Sequence, residues 1–223
     1  MSVNIFGVEV SGLAESVLAS GFPMQVYCSD WDYDMAVFKE WRYGGNVSDG
    51  QREWCEKQWK RACTLGKCEG GESHDCYLCG ITVAFNITAP RYWYPEMQRY
   101  HFADIVSSTS TMHRLRYVVD NILCGKMDWT ECFCDSGINE GLIKCALGAM
   151  NVVMNDGSLS DEEKVRQIKG LLPESYLQTC RITTNYRQLK TWRRQRSKHR
   201  LQEWQEVCAW IGTLPWFDEL TGF

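Results

Sequence analysis

Arginine and lysine recur at short intervals between Arg181 and Arg200, a segment that holds eight basic residues and no Asp or Glu. Removing these eight from the 24 basic residues of the chain leaves 16 against 28 acidic residues, so the remainder carries a net charge near −12. A positive segment on an acidic body indicates a local anion site more than a general polyanion surface. Arginine suits phosphate in particular, because its planar guanidinium binds two oxygens at once.

The basic segment belongs to a longer ordered series of residues, from Lys169 to Gln202, whose spacing is regular. In order and spacing, and without gaps, the series resembles the C-terminal signature of the flavin-dependent thymidylate synthases (ThyX). The residues that carry the resemblance are Lys169, Leu172, Pro173, Asn185, Arg187, Leu189, Arg196, the pair His199 and Arg200, and Gln202.

The resemblance implies two kinds of ligand contact in this segment. Asn185 and Arg187, together with His199 or Arg200, would hold a flavin, and Arg196 would hold a nucleotide phosphate. Lys169 stands where the family has a nucleotide-binding arginine, so the charge is kept and the bidentate fork is lost. From the residues alone, a solvated basic helix face remains an open alternative.

The resemblance extends upstream, where the family has Glu-His before a strand and then Arg-His-Arg-x7-Ser. Ser73 and His74 stand at the first motif, and Arg99, Tyr100 and His101 stand at the Arg-His-Arg. Tyr100 and His101 depart from the family pattern, which bears on catalysis more than on the fold. The segment from Ile87 to His113 also resembles divergent ThyX-like proteins of phages and bacteria. The resemblance implies flavin contacts for His74, Arg99 and His101, and nucleotide contacts for Glu96, Arg99, Ser108 and Ser110.

The fold and function implied are those of a ThyX-like flavoprotein. We expect an α+β fold with a central, mostly antiparallel sheet flanked by helices, in a single domain over residues 1–223. Such a protein would bind FAD and a dUMP-like nucleotide, and transfer a one-carbon unit to C5 and reduce it, with NADPH and methylene-tetrahydrofolate as co-substrates. A homotetramer is implied as well. No catalytic residue is assigned, since reduced flavin supplies the hydride and the protein supplies positioning and electrostatics.

Two alternatives to the enzyme remain open. The first is a nucleotide- or nucleic-acid-binding protein on the same fold without the chemistry, which the altered motif at Tyr100 and His101 favours. The second is a metal-stabilised interaction protein, since thiolates at suitable spacing can close a tetrahedral site. Only one C-x-x-C pair exists, however, so free thiols are the preferred interpretation. The four cysteines of this cluster, in a loop at about 63–79, are Cys63, Cys68, Cys76 and Cys79.

Composition bounds the class of protein. With 223 residues and 44% hydrophobic residues, the chain has material for a sizeable core. No run of eighteen apolar residues occurs, so no membrane-spanning helix is expected. The N-terminal stretch lacks a basic region ahead of an apolar one, which argues against a signal peptide. We therefore interpret the twelve cysteines as free thiols in a reducing cytoplasm, of a bacterium or a phage-infected host cell.

Periodicity and capping signals predict the elements that position these residues. Strands are predicted over 3–10 and 81–88, and Ser11 is predicted to cap a short helix. Capping boxes at Ser48 and Ser160 open two further helices, to about residues 65 and 169. Loops are predicted over 66–75, 107–113 and 125–139. The other predicted helices cover 30–42, a start at Pro95 and Glu96, 114–124, 141–151, 187–196, and a last helix with Leu201, Trp204, Cys208 and Ile211 on its apolar face.

Overall fold

The computed structural model describes residues 2–24, 30–69, 72–134 and 138–223. It confirms the predicted α+β class and its mostly antiparallel sheet, since four antiparallel strands combine with flanking helices. Along the sheet the strands follow the order β1-β2-β4-β3, which makes β2 one of the two internal strands. The strands are β1 Asn4–Ser11, β2 Thr82–Pro90, β3 Asp104–Ser108 and β4 Leu177–Asn185.

Ten α-helices and four short 3₁₀ helices are described in the same ranges. The 3₁₀ helices are Phe22–Met24, Cys76–Gly80, Arg91–Trp93 and Trp129–Glu131. The α-helices are α1 Leu13–Ala19, α2 Trp31–Arg42, α3 Asp49–Gly66, α4 Tyr94–Met97, α5 Thr111–Leu123, α6 Glu140–Asn155, α7 Asp161–Leu171, α8 Tyr186–Arg196, α9 Gln202–Ile211 and α10 Phe217–Thr221.

The contacts of the chain divide it into two compact units. Unit 1 comprises Met1–Phe6 and Asn86–Ile182, and unit 2 comprises Gly7–Phe85 and Thr183–Phe223. The prediction of one domain over residues 1–223 stays a prediction.

Unit 1 has a core made by its three longer helices. Helices α5, α6 and α7 pack against one another, and their apolar faces enclose Leu147 and Met150, which have no exposed surface. Phe133 and Tyr176 close the core with an edge-to-face ring contact at 5.5 Å. The buried members of this cluster are Leu115, Val118, Val119, Phe133, Ile143, Leu147, Met150, Met154, Ile168, Leu172 and Tyr176.

Unit 2 has a core rich in aromatic rings. Helix α8 packs against α9, and Trp192 meets Trp204 edge-to-face at 5.4 Å. Phe217 at the start of α10 contacts Tyr186 at 5.0 Å. Each of these four rings is fully buried. Since aromatic side chains bury the largest apolar areas, these rings anchor α8, which carries most of the basic segment.

Two local predictions are wrong. Ser11 does not cap α1, because the N-cap is Gly12 at a φ of 77°, and Ser11 instead hydrogen-bonds Thr82 at 2.6 Å. A β-carbon at residue 12 would lie 2.2 Å from the carbonyl oxygen of Gly80, so only glycine fits this turn. Residues 107–113 are not one loop, because β3 extends to Ser108 and α5 begins at Thr111.

Candidate functional site

Asn185 lies at the junction of β4 and α8. Its side-chain oxygen accepts a hydrogen bond from the backbone N–H of Gln188 at 2.9 Å. An asparagine in this extended conformation satisfies one of the free donors of the first helical turn, which is the N-cap geometry. The residue for which the family resemblance implies a flavin contact therefore also starts the helix that carries Arg187 and Arg196.

Arg187 and Lys190 share one buried carboxylate. Asp75 is 3% exposed, and its two oxygens accept from Arg187 Nε at 2.9 Å and from Lys190 Nζ at 2.8 Å. Lys190 is 2% exposed and donates in addition to the carbonyl oxygens of Gly66 and Cys68, each at 2.7 Å. A buried ammonium persists only when its donors are satisfied, and here all three are. This part of the basic segment is therefore not a solvated face.

Two further arginines of α8 are held within unit 2. Arg193 forms an ion pair with Asp218 and lies over the ring of Phe223 at 4.7 Å. Arg196 lies over the buried ring of Trp204 at 5.1 Å. Cation–π contact orients a guanidinium relative to the ring. Arg196 is thus positioned on a rigid aromatic surface.

Three cations near the end of α8 have no carboxylate partner among the described residues. They are Arg194, Lys198 and Arg200, all exposed, and they line a surface cleft of about 580 Å³. The cleft is completed by His199 and by the ring of Phe223, which is 46% exposed. Uncompensated cations beside an aromatic ring suit a ligand with phosphate groups and a planar ring system.

His199 is positioned at the rim of this cleft by its own loop. Its Nδ1 accepts a hydrogen bond from the backbone N–H of Leu201 at 3.2 Å, and its ring contacts Trp204 edge-to-face at 6.5 Å. The hydrogen bond places the proton on Nε2 in the neutral ring.

The remaining predicted site residues lie in unit 1, except for His74. Ser110 precedes α5 and accepts a hydrogen bond from the N–H of Met112 at 3.2 Å, as a helix-capping serine does. Glu96 is half-buried in α4, and the other side chains are exposed. The predicted residues of unit 1 are Glu96, Arg99, His101, Ser108, Ser110 and Lys169. His74, also exposed, lies in unit 2 next to Asp75.

The four-cysteine metal site is not assembled in the described part of the chain. Among residues 2–24, 30–69, 72–134 and 138–223, no group of three or more His, Cys, Asp or Glu side chains is arranged to hold a metal ion. The thiols at Cys63, Cys68, Cys76 and Cys79 are free. Burial and the Glu219 charge raise the pKa of Cys63, which disfavours the thiolate that a metal would require.

Asp75, Asp218 and Phe223 belong to this region and were not predicted from the sequence. Asp75 lies 112 positions before Arg187, and Asp218 lies 25 positions after Arg193. No local periodicity links residues so far apart in sequence. The one available signal was charge balance, because eight clustered cations on an acidic chain require carboxylates nearby.

Comparison with known proteins bears on the fold. No protein-family model matches the sequence, and neither does any curated protein. A crystal structure of flavin-dependent thymidylate synthase ThyX from Helicobacter pylori, complexed with FAD and dUMP, is similar over 99% of this chain and 97% of its own, with a TM-score of 0.63 and 18% identity. The chain has a ThyX-like fold. A second ThyX structure from that organism, also with FAD and dUMP, gives a TM-score of 0.62 at 18% identity and the same coverage.

The ThyX-like fold confirms the resemblance that the C-terminal series of residues carries. At 18% identity the likeness concerns the fold, and it extends over nearly the whole of both chains. Within the described ranges, every helix is too short or too polar to cross a bilayer.

Proposed function

We propose that this protein is a ThyX-like flavoprotein that binds FAD and a deoxyuridine nucleotide, and methylates the nucleotide at C5. The observation that carries the proposal is the fold match over 99% of the chain to ThyX structures that contain FAD and dUMP. The residues at the expected positions support it, since Asn185, Arg187 and Arg196 all lie on or at the start of α8.

The cleft fits a phosphate-bearing cofactor. Arg194, Lys198 and Arg200 provide positive charge that no described carboxylate neutralises. At the start of α8, outside the lining of this cleft, the side-chain nitrogen of Gln188 is buried without a hydrogen-bond partner in the described part of the structure, and such donors are rare unless a ligand or water satisfies them. FAD, when bound, supplies the hydride chemistry.

The chain's own residues then have defined tasks. In this proposal His199 and Arg200 contact the cofactor, and Arg196 binds the phosphate of the nucleotide with a guanidinium held over Trp204. Arg187 contacts the flavin from its ion pair with Asp75. The family resemblance proposes Glu96, Arg99, Ser108, Ser110 and Lys169 as nucleotide contacts, and Arg99 and His101 as flavin contacts.

The proposal includes the co-substrates and compartment of such an enzyme. NADPH would supply electrons and methylene-tetrahydrofolate would supply the carbon. We place the protein in the cytoplasm, where a reducing environment keeps thiols free. All cysteines of the described residues are free.

The test is purification followed by spectroscopy and assay. We expect the visible absorbance of bound flavin and dUMP-dependent formation of dTMP with FAD, NADPH and methylene-tetrahydrofolate. Arg200→Ala should lower FAD retention at least tenfold, whereas Arg52→Ala, an exposed change on α3, should leave it unchanged. A colourless protein that neither binds added FAD nor retains dUMP would contradict the proposal.

The second candidate is a nucleotide-binding protein on the same fold that has lost the methylation chemistry. The observation that favours it is Tyr100 and His101 in place of the family's His and Arg. It predicts dUMP affinity without dTMP formation at any FAD concentration. Tyr100→His with His101→Arg should then leave dUMP binding in place and raise turnover from the background.

A further inference from the structure

Two cysteines that the proposed function does not use lie on one turn of a 3₁₀ helix. Cys76 is the first residue of the helix Cys76–Gly80, and Cys79 is the residue before its end. Both thiols are exposed and free. Side chains three residues apart eclipse one another in a 3₁₀ helix, and a rise of about 2.0 Å per residue puts their α-carbons about 6 Å apart. Disulfides bridge α-carbons at about 4.4–6.8 Å. The local backbone therefore suits a bond between these sulfurs.

The second observation is the cation beside the pair. The Arg187 guanidinium lies near enough to Cys76 and Cys79 for the charge of their thiolates to act on it. Burial lowers the pKa of Arg187, but Asp75 and the two cysteines, as thiolates, outweigh burial, so the pKa is raised. The 3₁₀ helix packs against α8 on one side and against α1 on another, which holds the turn in place.

We propose that Cys76 and Cys79 form a dithiol that exchanges with disulfides, with Arg187 as the cation beside the reacting sulfur. The Cys79 thiolate attacks one sulfur of a small disulfide, forming a mixed disulfide and releasing the first thiolate. The Cys76 thiolate then attacks the Cys79 sulfur and releases the second. Two electrons pass from the protein to the disulfide, and the two thiol protons end on the released thiols.

The other cysteines do not share this arrangement. Cys68 belongs to the same stretch, but its thiol contacts Glu72, and burial together with that carboxylate raises its pKa. Cys124 and Cys145 are exposed, and each lies on or beside a helix of unit 1 without a cysteine three residues away. They are the matched single-thiol controls. The exchange consumes no cofactor, although Arg187 is also a proposed flavin contact.

The test uses the full chain, reduced, then incubated with oxidised glutathione, acid-quenched, alkylated and digested with trypsin. The peptide Cys68–Arg91 should lose two hydrogens and be alkylated once, at Cys68. Cys76→Ser should trap glutathione on Cys79, while Cys68→Ser should still form the internal bond. Arg187→Gln should slow bond formation severalfold, with native circular dichroism as the check on folding.

Three results would contradict the proposal that Cys76 and Cys79 form an exchanging dithiol. In one, the wild-type chain carries glutathione on Cys76 and Cys79 without an internal bond, as Cys124 and Cys145 should. In another, Cys68→Ser abolishes the bond, which would make Cys68 the partner. In the third, oxidised glutathione leaves all three thiols of the peptide alkylated at every concentration that modifies Cys124.

Discussion

Asp75 is the residue on which the basic segment most depends. One carboxylate serves two cations, Arg187 and Lys190, and it is itself buried. Its removal would leave Lys190 buried with only carbonyl partners and no counter-charge. Breaking one partner of a buried ion pair costs more than the pair contributes, because the remaining charge is desolvated without compensation.

We therefore expect Asp75→Ala to lower the free energy of unfolding by about 3–5 kcal/mol. Urea denaturation followed by circular dichroism measures it. The control is Glu53→Ala, which breaks the ion pair with Lys57 on the surface of α3. Exposed pairs of this kind contribute little to stability. Equal losses in the two variants would show that Asp75 and Lys190 are solvated in solution.

Substitution of Arg196 distinguishes a specific nucleotide site from a diffuse charged surface. Arg196→Ala should weaken dUMP binding by about 2–5 kcal/mol, since it truncates one partner of a desolvated charge pair. Thermal shift with and without dUMP, at fixed ligand concentration, measures the loss. Arg52→Ala is the control on α3. Arg193 of the same helix is unsuitable as a control because it pairs with Asp218. Unchanged affinity in Arg196→Ala would show that the family register is wrong.

At the scale of elements, capping and periodicity predicted the helices well. The boxes at Ser48 and Ser160 begin α3 and α7, each with both reciprocal hydrogen bonds. The strands were predicted less well, because β4 has Ile182 as its one strongly apolar inward residue, between Cys180 and Thr184. Its identity as a strand comes from pairing within the sheet, which a local pattern does not contain. The same holds for the candidate site. Helix α8 was predicted from its local pattern, but its carboxylate partners Asp75 and Asp218 were not.

The start of α8 offers a test of Asn185 in its two roles. Asn185→Ala should cost about 1 kcal/mol of stability through loss of the N-cap. Asn185→Ser should retain most of that stability, because serine caps helices equally well. If Asn185→Ser keeps stability and loses FAD affinity at least tenfold, the amide contacts the cofactor. If both variants keep FAD affinity, Asn185 is a structural cap and its proposed flavin contact is wrong.

At the scale of the whole molecule, buried thiols contribute to the loss of stability at alkaline pH. Burial raises the pKa of Cys55 to about 11, with the Asp34 charge acting in the same direction. Burial likewise raises the pKa of Cys208 to about 11, against the nearby Arg193 and Arg196 charges. The ordinary pKa of a cysteine thiol is 9.0. Above it the unfolded chain loses these protons and the folded chain keeps them, so the folded state is progressively disfavoured.

We expect the free energy of unfolding to fall between pH 9.0 and about 11, with each thiol contributing about 1.4 kcal/mol per pH unit. Urea midpoints across this window measure the slope. The double variant Cys55→Ala with Cys208→Ala should make the slope shallower, although the variant is less stable at neutral pH because small cavities remain. Cys145→Ala, at an exposed thiol, is the control. An unchanged slope in the double variant would contradict the assignment.

Assembly is the remaining prediction at this scale. Arg194, Lys198 and Arg200 are like charges in one cleft, an unfavourable arrangement unless a phosphate or an acidic surface faces them. The acidic remainder of the chain, on a second copy, is one source of such a surface. We expect a homotetramer by sedimentation at low ionic strength, weakened by salt. A monomer at micromolar concentration, with and without FAD, would contradict this expectation.

Lys190 gives the folded protein a built-in reporter of local opening. Its ammonium is enclosed by Gly66, Cys68 and Asp75, whereas Lys57 on α3 is open to solvent. An acylating reagent will modify the exposed Lys57 rapidly. It will modify Lys190 only during local opening that breaks the contacts of its ammonium with Gly66, Cys68 and Asp75. The ratio of the two labelling rates measures the free energy of that excursion. Labelling with and without nucleotide would then show whether ligand binding suppresses local opening around Lys190.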